Sequence, residues 1–171
     1  MELFDTLKKE VGEWSIENFP GQPTVNPFMG SSEEAGELAE CLDLESEPNE
    51  EELDAVGDIL VYIADFCYKR ELDYQKCYEM SGDVENTHDD FFREWVASRG
   101  QLTRSVLKRE QGIRLDEDRV GDEAEEQALA RMLSCLETFA DSRGYTLEEA
   151  IQSAWYDEVI DRDWDSSYRE D

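Results

Sequence analysis

Residues 51–70 read EELDAVGDILVYIADFCYKR, and the spacing inside this stretch decides the fold class. Val56, Ile59, Leu60, Ile63 and Phe66 recur at the three- and four-residue intervals of an α-helix and leave little of its circumference polar. A helix apolar nearly all round must be buried, so the stretch predicts a central helix from about Glu51 to Arg70. Asp54 and Asp58 stand out against that background: four apart, they share one face of a segment otherwise built for an interior. Gly57, in mid-helix beside Asp58, costs about 1 kcal/mol of helix propensity against alanine. Close approach of another helix or of a ligand would account for it.

The same period recurs on both sides. Leu3, Leu7, Val11 and Trp14 form one stripe of a helix expected from about Leu3 to Asn18. Phe19 to Gly30 holds three of the four prolines and reads as an ordered loop. Ser31-Ser32 followed by Glu33-Glu34 has the composition of an N-cap with acids in the first turn, opening a helix to about Leu44. A polar break, Glu45 to Asn49, precedes the central helix. A shorter helix is expected from Asp73 to Met80, then a polar linker from Ser81 to Asp90. Further helices are expected at Trp95–Arg109, Asp122–Arg143 and Thr146–Asp161, with a charged loop from Glu110 to Gly121. Strand signals are almost absent, so the fold class is an all-α helical bundle.

The second half reads as a worn copy of the first. Gly36-Glu37-Leu38 aligns with Gly100-Gln101-Leu102, 64 residues on, and Phe66 through Cys77 aligns with Phe139 through Ala150, 73 residues on. The difference falls in the loop between paired helices, where insertions are tolerated. The expected organisation is two helical repeats, residues 1–82 and 83–171, packed as a pseudo-dimer.

The 171 residues include 45 acids and 16 bases, a net charge of −29, which argues against nucleic-acid or anionic-membrane partners. The bases divide into 11 arginines and 5 lysines. High acid and low lysine content suggests a chain adapted to a salty interior, where ions screen its self-repulsion. The expected result is a melting temperature that rises between low and molar KCl; a flat or falling curve removes the idea. The four cysteines, Cys41, Cys67, Cys77 and Cys135, form no C-x-x-C pair or zinc spacing and read as reduced thiols. The single histidine, His88, sits in a polar stretch and supports neither a triad nor a histidine metal centre. No signal core or membrane span is evident, so a soluble, cytoplasmic protein is expected.

Glu34 and Glu37 share a helix face with Leu38 and Cys41, which predicts two carboxylates embedded in an apolar stripe. A short connection makes this helix an antiparallel neighbour of the central one, so Glu34, Glu37, Asp54 and Asp58 converge in one groove. Like charges crowded away from water repel, and some are driven to protonate. A divalent cation relieves that, and oxygen-only donors select Mg²⁺ or Mn²⁺. Glu33, Glu40 and Asp65 read instead as solvated surface acids.

Glu33-Glu34-Ala35-Gly36-Glu37-Leu38-Ala39-Glu40, followed by Asp54-Ala-Val-Gly-Asp58-Ile-Leu-Val-Tyr62, resembles the MazG-like all-α nucleotide pyrophosphohydrolases. That family's signature is an E-x-x-E helix followed, one short loop later, by an E-x-x-D helix. Trp14…Asn18-Phe19 and the proline-rich loop are also similar to family members, as are Leu107 to Arg114 and the ending Trp155…Val159…Arg162-Asp163-Trp164. The first half of the signature matches. In the second, Ala55 stands where the family has glutamate, and Asp54 is the residue positioned to substitute. The second repeat departs altogether: by the two displacements Glu34 becomes Ser98, Glu37 becomes Gln101, Asp54 becomes Gln127 and Asp58 becomes Arg131.

The resemblance implies Mg²⁺-dependent hydrolysis of (deoxy)nucleoside triphosphates to the monophosphate and pyrophosphate, a house-cleaning of the nucleotide pool. It implies Glu34, Glu37, Asp54 and Asp58 as metal ligands, with Glu34 or Glu37 also orienting the attacking water. The second repeat is expected to offer Lys108, Arg109 or Arg114 to the phosphates, and Trp14 or Phe19 to stack on the base. Lys69 and Arg70 read as C-terminal caps of the central helix. The expected assembly is a monomeric pseudo-dimer or a homodimer. The alternative reading is a catalytically inactive nucleotide-binding or helical protein-interaction module.

Overall fold

The computed structural model describes residues 2–85, 90–113 and 120–159. The readings of His88, Arg114 and Arg162-Asp163-Trp164 fall outside the described residues. Every regular element among the described residues is helical: α1 (Leu3–Asn18), α2 (Val25–Cys41), α3 (Glu50–Arg70), α4 (Tyr74–Ser81), α5 (Phe91–Glu110), α6 (Asp122–Arg143) and α7 (Leu147–Ile151), which runs on as a π-helix over Gln152–Val159. None of these helices is long and apolar enough to cross a membrane.

Helix α3 forms where the period places it, and its ends explain its limits. The Asn49 side chain caps it by accepting from the Glu52 N–H at 2.8 Å, and Glu50, Glu51 and Glu52 occupy its positive first turn. Glu71 takes a left-handed conformation (φ 58°) at the C-terminus and stops it. Val56, Ile59, Leu60, Ile63 and Phe66 are all buried, and α1, α2, α7 and the π-helical segment pack around them. Gly57 is where the close approach happens: a Cβ there would lie 2.2 Å from the Ala150 carbonyl oxygen and 2.6 Å from the Ala154 Cβ. Backbone cannot yield as a flexible side chain can. Gly57→Ala is therefore expected to destabilise the fold by about 1–3 kcal/mol, despite alanine's better helix propensity, in a denaturant titration. A stability equal to or above the parent would show that α7 does not sit against α3 in this way.

Several local expectations are corrected. Helix α2 starts at Val25 rather than Ser31, so Phe19–Gly30 is not all loop. Pro27 falls within the first helical turn, where a missing N–H goes unnoticed. Ser31 is not an N-cap; it is buried, and its hydroxyl donates to the Phe28 carbonyl. The helix ends at Cys41, short of Leu44. Helix α5 begins at Phe91, four residues before Trp95, with Asp90 as its cap. The last helix changes from α to π at Gln152. All four cysteines are free; Cys67, Cys77 and Cys135 are buried and Cys41 is partly so.

Helices α2 and α3 form one packed pair and α5 and α6 another, while α4 packs on α6 and α7 on α3, so each pair receives the short helix that follows the other. The 73-residue displacement carries Glu71 to Gly144, both left-handed C-caps, and Asp73 to Thr146, both side-chain N-caps. It also carries Glu52 to Glu125 and Arg70 to Arg143. Arg143 forms a two-pronged pair with buried Glu52, both contacts at 2.8 Å. Arg70 reaches buried Glu125 at 2.9 Å and Asp122 at 2.7 Å. The two cross-pairs are reciprocal, as in an isologous interface. Arg70 is thus not a simple C-terminal cap.

Candidate functional site

Helices α2 and α3 bring the four predicted acids to one side of the bundle, but unequally. Glu34 on α2, and Asp54 and Asp58 on α3, are partly buried; Glu37 is exposed. The expectation that both α2 glutamates lie in an apolar stripe is corrected for Glu37. Residues three apart on a helix differ by about 60° around the axis, enough to put one at the α3 contact and the other at its rim.

Glu34 is the shared wall of two adjoining clefts. One, of about 490 Å³, is lined by Glu34, Glu37, Glu40, Glu51 and Asp54, with Cys41 and Ala55. The other, of about 400 Å³, has Glu34 and Asp58 on one side and Trp14, Phe19 and Trp155 on another. Burial, reinforced by the Asp58, Glu37, Glu33 and Asp54 carboxylates, pushes the Glu34 carboxyl up to about 8. Burial, followed by the Glu34, Glu33, Asp58 and Asp65 carboxylates, pushes the Tyr62 phenol up to about 12. The folded-state value of Glu34 lies above that of an unfolded glutamate, so protonation favours the fold. That contribution is intact below about pH 4.5 and is lost as pH rises through about 8. Without added metal, the melting temperature of the parent should fall more steeply than that of Glu34→Gln over this range; parallel curves would contradict the assignment.

The donor set suits a hard cation in kind, being carboxylate oxygen only. It does not converge as it stands: among the described residues, no group of three or more histidine, cysteine, aspartate or glutamate side chains is placed to hold a metal ion. Glu34, Glu37, Asp54 and Asp58 would have to rotate toward a common point to do so.

Sequence reasoning missed the floor of the aromatic cleft. Asp65, read as a solvated acid, is only 5% exposed. It pairs with Lys69 and accepts from the buried Ser15 hydroxyl at 3.0 Å. Lys69, read as a cap, also donates to the Ser15 oxygen at 2.7 Å. Gln22 lies 3.4 Å from the same hydroxyl. Asp58, Tyr62 and Asp65 repeat at four and three residues along α3, a spacing that placed Asp65 on the Asp58 face. Ser15, on another helix, carried no such signal. The aromatic wall is tightly ordered: Trp14 meets Phe19 edge-on at 5.6 Å and Trp155 edge-on at 5.7 Å. The Trp155 indole and the Tyr156 hydroxyl both donate to Glu10.

The cations expected from the second half lie elsewhere. Arg109 pairs with buried Glu125, and Lys108 donates to Gln111. Neither lines the clefts beside Glu34. At the position matching Asp58, Arg131 pairs with Glu94, which is 1% exposed. Ser98, matching Glu34, is buried and donates within its own helix.

Comparison of this chain with family models, with curated proteins and with solved structures finds no match.

Proposed function

We propose that the chain is a divalent-cation-dependent hydrolase that cleaves (deoxy)nucleoside triphosphates to the monophosphate and pyrophosphate, with its active half in α1–α4. The observation that carries this reading is the position of Glu34, common to a cleft rich in carboxylates and a cleft walled by indole and phenyl rings. A nucleotide has those two needs side by side: charge compensation for its phosphates and a flat apolar surface for its base.

Glu34, Glu37, Asp54 and Asp58 are the residues that would hold Mg²⁺ or Mn²⁺, with Asp54 standing in for the glutamate that Ala55 lacks. The ion, when bound, neutralises phosphate charge and lowers the pKa of water. Everything else falls to the chain. Trp14 and Phe19, backed by Trp155, offer ring faces and edges to a base. The Ser15–Asp65–Lys69 network gives that cleft a fixed polar floor. Glu34 or Glu37 orients the attacking water. Lys108 and Arg109 are not assigned to the phosphates, because Arg109 is committed to Glu125.

The same reading takes the chain as two repeats in a pseudo-dimer, supported by the reciprocal Glu52–Arg143 and Glu125–Arg70 pairs. The second repeat, with serine, glutamine and arginine at the matching positions, contributes no ligand to the cation. The test is pyrophosphate release from a panel of ribo- and deoxynucleoside triphosphates, with Mg²⁺ and with chelator. Turnover restricted to the Mg²⁺ arm supports the proposal. Nucleotide binding without turnover would favour an inactive binding module, and neither would favour a helical interaction protein.

A further inference from the structure

A third cleft, of about 650 Å³, lies between α5 and α6 and is lined by Val96, Gly100, Gln101, Arg104 and Gln127, with Ala97 and Ala124. The displacements of 64 and 73 residues relate it to the carboxylate cleft of the first half. Glu37 corresponds to Gln101, Glu40 to Arg104, Glu51 to Ala124 and Asp54 to Gln127. Each acid lining one cleft at these positions is replaced in the other by a neutral or cationic residue, and among the described residues no carboxylate lines this cleft.

In a chain of net charge −29 that change is chemically large. Helix α5 alone carries Arg93, Arg99, Arg104, Lys108 and Arg109, five of the sixteen bases. None of the ion pairs among the described residues uses Arg104. The Gln127 side chain lines the cleft, and its amide donates to the exposed Glu123 carboxylate at 3.4 Å. Gly100 has open space where a side chain would be, so a ligand can reach the α5 backbone.

A guanidinium and two carboxamides supply N–H donors where the first half has carboxylates, the opposite of a cation site. We propose that this cleft binds a phosphoryl oxyanion directly, without a metal ion, through Arg104, Gln101 and Gln127. The site is independent of the carboxylate clefts, with which it shares no lining residue. The inference rests on the geometry of α5 and α6, not on the proposed hydrolysis.

The test is calorimetric or NMR titration of the full chain with inorganic pyrophosphate, and in a second arm with a nucleoside monophosphate. Both are done in EDTA at fixed ionic strength, with sulfate as control. Saturable binding is expected, weakened about tenfold or more in Arg104→Gln and unchanged in Glu34→Gln. The pyrophosphate arm alone responding identifies a free oxyanion as ligand; a tighter monophosphate arm identifies a phosphate ester. A third variant, Arg93→Gln on the same helix but outside the cleft, is expected to bind as the parent does. Absence of saturable binding overturns the proposal. So does equal weakening in Arg104→Gln and Arg93→Gln, which would mean diffuse attraction to a basic helix. Binding that appears only when the titration is repeated with Mg²⁺ in place of EDTA, and that disappears in Glu34→Gln, also overturns it, by returning the anion to the first half.

Discussion

Asp58→Asn is expected to lower Mg²⁺-dependent pyrophosphate release by about 10³-fold while leaving the fold intact. The substitution keeps the size of the side chain and removes one negative charge from beside Glu34. Loss of a carboxylate donor forfeits several kcal/mol of charge stabilisation, and each 1.36 kcal/mol is about tenfold in rate. Two comparisons make the result specific. Glu40→Gln alters an exposed acid at the rim and should stay within a few-fold of the parent. Ala55→Glu adds a longer carboxylate next to Asp54 in the same cleft, and should raise activity or tighten cation binding if Asp54 is a short-armed ligand. Full activity in Asp58→Asn, with Mg²⁺ still required, would remove Asp58 from the site.

The second large effect concerns stability. Glu125 is fully buried and receives Arg70 and Arg109 from two different helices, with the Ser105 hydroxyl donating to the same carboxylate. Glu125→Gln leaves two partly buried guanidinium groups with no charge between them. Breaking a buried pair from one side costs about 3–5 kcal/mol. For a chain of this size that corresponds to roughly 10 °C in melting temperature. Glu52→Gln, which abandons Arg143 in the reciprocal pair, should behave alike. The control is Glu110→Gln, whose side chain is 56% exposed and touches Arg109 only at 3.9 Å; it should shift the melt by about 1 °C or less. A Glu125→Gln protein melting with the parent would mean that the buried Glu125 cluster adds nothing to stability.

Helices α3 and α6 were readable because their apolar residues follow the helical period, and because Asn49 and Gly144 are residue types that favour helix ends, whereas the left-handed Glu71 gave no such signal. The start of α2 is easily misread: Pro27 counts with the other prolines of a loop, although a proline in the first turn, behind Thr24 at the cap position, is compatible with a helix start. The acid cluster was legible as a set of positions, since spacing puts residues on a face. Spacing does not say how far a face is buried, which is why Glu37 came out exposed and Asp65 buried. Asp65 had a visible partner in Lys69, four residues on, but its burial depends on Ser15 from α1. The Glu52–Arg143 pair spans 91 residues and leaves no local trace. The 73-residue displacement maps it onto Glu125–Arg70, and that correspondence becomes visible only once both pairs are seen.

The central claim is that α2 and α3 together form a divalent-cation site, and it is tested most directly by titrating Mn²⁺ into the metal-free protein by calorimetry or electron paramagnetic resonance. The expected result is a saturable site competed by Mg²⁺, weakened at least tenfold in both Glu34→Gln and Asp58→Asn and unaffected in Gln101→Ala on α5. Mn²⁺ binding that is diffuse, or that survives unchanged in the double variant Glu34→Gln/Asp58→Asn, would contradict the account.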